Sequence, residues 1–184
     1  MALVLFLSLM IPGPMPAQEH DFCGEAALVY WLAAEEGVQM SQREIHEKVL
    51  GLTGVRRGAY SREIIGGLRR RGYTLHVTEI YDEKERRRAD AGEMERLSRA
   101  FKKSLDQGHP LFIGWYPWEE GNEEKRGHFS VIVGYDEKFF YLYDPRFEER
   151  LLGLSRDNLS RHLFLPALNR GPWGLFYFHA AEQP

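Results

Sequence analysis

The sequence predicts an α+β fold, on three observations. Apolar residues recur at helical spacing, with caps, through most of the first 106 positions. From residue 110 onward they fall instead into short β-branched and aromatic runs, and the two kinds of segment are not interleaved as βαβ repeats. With 184 residues, 43% hydrophobic and 28% charged, the chain has ordinary globular composition and is long enough for one domain with a sizeable core. That domain is placed at 18–184, behind a hydrophobic segment, 1–17.

The opening stretch, MALVLFLSLMIPGPMPA, carries about ten apolar residues, too few for a stable membrane span but suited to the apolar region of a signal peptide. No Lys or Arg precedes Arg43, so the usual basic start is missing. The segment reads as an export signal, cleaved after Ala17 and giving an extracytoplasmic protein, or as a buried first strand with a Pro-rich exit in a cytoplasmic one.

Asp21 is positioned to cap a helix whose apolar residues Ala26, Ala27, Val29, Tyr30, Trp31, Leu32 and Ala33 run nearly all round it. Such a helix is central and buried, and Gly37 ends it. Ser41 with Glu44 forms a capping box for a short helix reaching about Leu50, before Gly51. Ser61 caps a third helix, with Ile64, Ile65 and Leu68 on one face and Gly72 past its end. Tyr73 to Val77 alternates like a strand, and the charged stretch after it reads as an exposed loop. Met94, Leu97, Phe101 and Leu105 give a helix over 93–106, stopped by QGHP. The runs PLFIGWY, HFSVIVGY, FFYLYD and WGLFYFH then predict an antiparallel sheet, with DEK turning the second into the third as a hairpin.

Several function classes drop out on composition. The formal net charge is −3, and the Arg-rich patches at 69–71 and 86–88 are interleaved with acidic residues, so no nucleic-acid partner is expected. A single cysteine excludes an internal disulfide framework and a cysteine-based zinc site. The histidines show no metal-ligand spacing, and neither metal nor cofactor is expected. Oligomeric state is left open by the sequence.

The one cysteine, Cys23, falls on the first turn of the buried helix, where unpaired N–H groups and the helix dipole favour a thiolate. Gly24 leaves the backbone beside it unobstructed for a substrate carbonyl. A thiol nucleophile needs a base, and the base a third group to orient it. His128 opens one strand of the predicted hairpin and Asp144 ends the other, so the two are neighbours across it. Gln18, five residues before Cys23, offers a side-chain N–H that could join the Cys23 backbone N–H in holding an oxyanion.

QEHDFCGEAAL together with GHFSVIVGYDEKFFYLYDP resembles the papain-like cysteine peptidases of the bacteriocin-leader (double-glycine leader) processing group, and more closely their stand-alone bacterial relatives. The resemblance spans about residues 10 to 178. It implies a papain-like fold in which the Cys-bearing central helix of the helical half packs on the C-terminal antiparallel sheet. It also implies catalytic roles for Gln18 (oxyanion), Cys23 (nucleophile), His128 (base) and Asp144 (orienting group), with a peptide or protein as substrate. Neither a nucleotide-binding P-loop pattern nor a set of membrane segments accompanies the peptidase-like region.

Two sequence features bear on specificity and activity. The aromatic run GWYPWEE offers Trp115, Tyr116 and Trp118, with Gly24, as residues lining a substrate groove. Glu25 places a carboxylate two residues from the thiol, which raises the thiol pKa that the helix dipole lowers. A non-catalytic peptide-binding relative and an acyl or amide transferase are therefore the alternatives to a peptidase.

Overall fold

The computed structural model describes residues 16–79, 91–115, 127–147, 151–155 and 176–180. The hydrophobic stretch up to Met15, the charged loop over 80–90, Tyr116 and Trp118 lie outside the described residues.

Helix α1 runs Cys23–Glu36 and is closed by Gly37 at φ 68°, a left-handed conformation that costs glycine little. Its burial is nearly circumferential, as the apolar pattern requires: Gly24 through Leu28 and Tyr30 through Leu32 are all buried. The N-cap is Phe22, not Asp21, and no side chain caps the helix. Asp21 is exposed, whereas the Phe22 ring stacks on His46 at 4.7 Å, so aromatic packing rather than a carboxylate cap sets the helix start.

Ser41 opens α2, Gln42–Glu44, with the expected capping box: the Glu44 N–H donates to Ser41 Oγ and the Ser41 N–H to Glu44 Oε2. The helix widens into a π-helical turn, Ile45–Val49. Helix α3 is Ser61–Arg70, and its N-cap is Tyr60, whose N–H donates to Glu63 Oε2, one residue earlier than the sequence suggests. Strand β1 is Leu75–Glu79, shifted two residues from the alternation that begins at Tyr73. Helix α4 covers Ala91–Asp106.

The remaining strands are β2 Leu111–Trp115, β3 His128–Tyr135, β4 Phe139–Tyr143, β5 Leu151–Ser155 and β6 Phe176–Ala180. They form one six-stranded sheet ordered β1-β6-β2-β3-β4-β5, with every described pairing antiparallel. The β3–β4 turn is built as read: Asp136 accepts the Lys138 and Phe139 N–H groups, each at 2.7 Å. Strand β5 was not expected, because LLGLS is short and its glycine interrupts the apolar run; it pairs along the outer edge of β4.

Both faces of the sheet are covered. Phe112, Phe129, Val131, Val133 and Tyr143 pack under α1, the α2 turn and α3. Leu111, Ile113, Trp115, Ile132, Phe140 and Leu142 alternate with them and pack on Met94, Leu97, Phe101 and Leu105 of α4. The helices thus do not sit together on one side; α4 takes the opposite face. Among the described residues no helix is long and apolar enough to cross a membrane.

Candidate active site

The site forms where the start of α1 meets the open end of the β3–β4 hairpin. A shift in the β3–β4 register between Ile132 and Gly134 puts Tyr143 opposite Val131. That shift decides which β3 side chains the end of β4 meets. His128 and Asp144, 16 residues apart, are joined by a 2.7 Å contact from Nε2 to Oδ1, with His128 6% and Asp144 0% exposed. A carboxylate only accepts, so Nε2 carries a hydrogen, and in the neutral ring Nδ1 is the nitrogen that keeps its lone pair.

Asp144 is also gripped by Arg146, a residue to which sequence reasoning gave no role. The Arg146 Nη2 donates to Oδ2 at 2.7 Å, its Nε reaches Oδ1 at 3.1 Å, and its backbone N–H reaches Oδ1 at 3.0 Å. Burial pushes the Asp144 carboxyl up, but hydrogen bonds from His128 and Arg146 outweigh it and hold the group well below the usual carboxylate range. The signal was present in DPR: a side chain two residues past a turn-forming Asp-Pro can fold back on the Asp.

Cys23 is half-buried at the first position of α1. The N–H groups of Phe129, the residue after His128, and of Gly24 are directed at its sulfur and favour the thiolate. Burial dominates, however, and with the negative charges of Glu25 and Asp144 pushes the thiol up to about 11. The helix start alone therefore does not deliver a lowered thiol, contrary to the expectation from position.

Gly24 has a packing reason to be glycine. A Cβ there would sit 2.9 Å from Ile64 Cδ1 and 3.1 Å from the Phe129 ring, so α1, α3 and β3 approach closely at this point. Trp115 is 4% exposed; its Nε1 donates to Ser130 Oγ at 2.9 Å and its ring lies 6.3 Å from that of His128. It covers the histidine from the side of β2.

Gln18 reaches the same junction through its backbone, its N–H donating to Pro145 O at 2.8 Å, next to Asp144. Its side-chain amide donates to His20 O at 2.8 Å, and its Oε1 is buried without a hydrogen-bond partner. His20, at φ 47°, is exposed and makes the left-handed turn that leads into α1.

Glu25 points away from the thiol into the core. It is 0% exposed, its Oε1 lies 2.7 Å from His46 Nδ1, and the same oxygen accepts the Ala59 N–H at 3.0 Å. Burial raises its pKa, against the hydrogen bond from His46. No spacing rule pairs residues 21 apart on different elements, and this partnership was not legible in the sequence. Among the described residues no cluster of three His, Cys, Asp or Glu could hold a metal ion.

The sequence pattern of the Peptidase_C39 like family matches residues 11–154, most of the chain and a range that includes Gln18, Cys23, His128 and Asp144. The chain belongs to the Peptidase_C39 like family. Two solved structures share the fold of this C39-like chain. The peptidase domain of Streptococcus ComA, a bi-functional ABC transporter involved in a quorum sensing pathway, superposes with a TM-score of 0.58 at 16% identity, covering 92% of this chain and 98% of that one. A protein described as a C39-like peptidase from Bacillus anthracis superposes with a TM-score of 0.63 at 13% identity, over 99% of both chains. No curated protein matches by sequence. The fold is therefore the papain-like α+β fold of the C39 cysteine peptidases.

Proposed function

We propose that this C39-like protein is a cysteine peptidase that cleaves amide bonds in a peptide or protein through Cys23, His128 and Asp144. The observation that carries the reading is the buried 2.7 Å contact between His128 Nε2 and Asp144 Oδ1. It fixes the tautomer in which Nδ1 is the basic nitrogen, at the end of the strand whose Phe129 N–H is directed at the Cys23 thiol.

His128 takes the Sγ proton as the sulfur attacks the amide carbonyl carbon, so that the S–C bond forms while the carbonyl pair moves onto oxygen. The Cys23 N–H and the Gln18 amide would hold that oxyanion. Collapse breaks the C–N bond, and the histidine returns its proton to the departing amine. Water then attacks the thioester with His128 again as base, releasing the acid and restoring the thiol. Gly24, enclosed by Ile64 and Phe129, and Trp115, 4% exposed and bonded to Ser130, are packing residues and do not line a groove as the sequence suggests; a groove-lining role is kept for Tyr116 and Trp118.

The thiol pushed up to about 11 favours one second reading, a non-catalytic peptide-binding relative using the same cleft. Incubation with a peptide library and mass-spectrometric search for new termini separates the two. Cleavage that disappears in Cys23→Ala supports the peptidase; peptide retention without cleavage in both proteins supports the binder. Transfer of the acyl group to an amine acceptor would appear in the same spectra as new amides.

A further inference from the structure

We infer that Gln42 is a positioning residue for Gln18, fixing the backbone on both sides of it so that its amide can serve the oxyanion. This rests on the oxyanion reading of Gln18 given above.

Gln42 is 4% exposed and comes from the short capped helix α2, outside the catalytic group. Both the nitrogen and the oxygen of its amide bond the main chain of the segment that carries Gln18. Nε2 donates to Ala17 O at 2.8 Å, and Oε1 accepts the Glu19 N–H at 2.9 Å. The Ala17–Gln18 peptide unit is engaged at its other end too, since the Gln18 N–H donates to Pro145 O at 2.8 Å. One residue upstream, Pro16 O accepts the Tyr143 hydroxyl at 2.6 Å.

The two peptide planes that flank the Gln18 Cα are thus both tied down, one to α2 and to the loop after Asp144, the other to α2. The Gln18 side chain, whose amide donates to His20 O in this structure, therefore turns from a backbone that is already fixed. A loop residue without such ties loses much of the benefit of a preorganised donor, because it must be ordered in each turnover. A glutamine amide suits this role because it supplies a donor and an acceptor from one planar group, matched to the C=O and N–H of alternate positions on an extended segment.

The test separates a reaction that forms an oxyanion from one that does not. p-Nitrophenyl acetate acylates a thiol through a tetrahedral oxyanion, whereas iodoacetamide alkylates it by displacement at a saturated carbon. Both rates at Cys23 are measured on the full chain for wild type, Gln42→Met, Gln18→Ala and the double variant. Gln42→Met, which keeps the volume, is expected to slow acylation roughly ten-fold and to leave alkylation within about two-fold. The double variant is expected to acylate no more slowly than Gln18→Ala alone, because Gln42 acts through Gln18.

Equal slowing of both reactions by Gln42→Met, or a further ten-fold loss in the Gln18→Ala background, overturns the inference. Acylation of Gln18→Ala at the wild-type rate overturns the oxyanion reading and this inference with it. Gln42→Asn keeps the amide but is one methylene too short to reach both Ala17 O and the Glu19 N–H. It serves if Gln42→Met does not fold, with an acylation loss expected that again vanishes beside Gln18→Ala.

Discussion

Glu25 and His46 share a single proton inside the core. His46 Nε2 faces the Val55 carbonyl at 3.0 Å, and a carbonyl only accepts, so that nitrogen carries hydrogen. Nδ1 lies 2.7 Å from Glu25 Oε1, a contact that needs one proton between two otherwise repelling lone pairs. With that proton in place the pair is neutral overall; once it is lost, the Glu25 carboxylate is a negative charge beside the nucleophile.

Replacing His46 by Ala leaves the Glu25 carboxyl buried without its partner, and a loss of about 3–5 kcal/mol is expected. Glu25→Gln keeps an acceptor for the Ala59 N–H and is expected to cost less than about 2 kcal/mol. Urea unfolding of the two variants checks the order; a His46→Ala protein as stable as wild type would show that the pair holds nothing together.

Burial raises the Glu25 pKa in the folded state, so the native protein keeps a proton that the unfolded chain has lost. Its contribution to stability is therefore present below the unfolded carboxyl pKa, about 4.3, and is lost as pH rises toward the folded value. Glu25→Gln removes this dependence, and the difference in unfolding free energy between wild type and variant should shrink from acid to neutral pH in its Glu25 part. The same substitution removes a charge that raises the Cys23 thiol, so the half-point of Cys23 alkylation should move down; an upward move contradicts the assignment.

Arg146 and Asp144 give the opposite slope. The folded carboxyl lies below its usual range, so its stabilisation is present above the unfolded pKa, about 3.9, and is lost as pH falls through the folded value. Arg146→Ala should cost about 2–3 kcal/mol at neutral pH and move the acid-unfolding midpoint upward. Circular dichroism during acid titration reads both effects, and an unchanged midpoint would mean that His128 alone sets the carboxyl.

Gly24→Ala should destabilise by about 1–3 kcal/mol, because the added methyl meets Ile64 Cδ1 and the Phe129 ring. Ile64→Val removes the methyl that is struck first and should recover part of the loss. Absence of recovery in thermal melts would place the clash at Phe129 instead.

What the sequence made legible was whatever is local or is carried by a hairpin. The all-round apolar helix behind Cys23, the Ser41 capping box and the Asp136 turn are written in neighbouring residues, and the turn brings His128 to Asp144. Residues joined only by tertiary packing were not readable: Glu25 with His46, Gln42 with the Ala17–Glu19 segment, and α4 on the far face of the sheet. The start of α1 was misread because Phe22 packing on His46 overrides the local preference for an Asp21 cap. The helix dipole and Glu25, which act on the thiol in opposite directions, are visible in sequence, but the extent of burial around Cys23 is not.

The most direct measurement is the pre-steady-state acylation of Cys23 by p-nitrophenyl acetate, followed as a nitrophenolate burst with the acyl group located by peptide mapping. A burst with the acetyl group on Cys23 in wild type is predicted. It should be absent in Cys23→Ala and slowed by about 10²-fold or more in folded His128→Ala. An undiminished burst in His128→Ala, or acylation of another residue that persists in Cys23→Ala, would contradict a His128-activated Cys23 nucleophile.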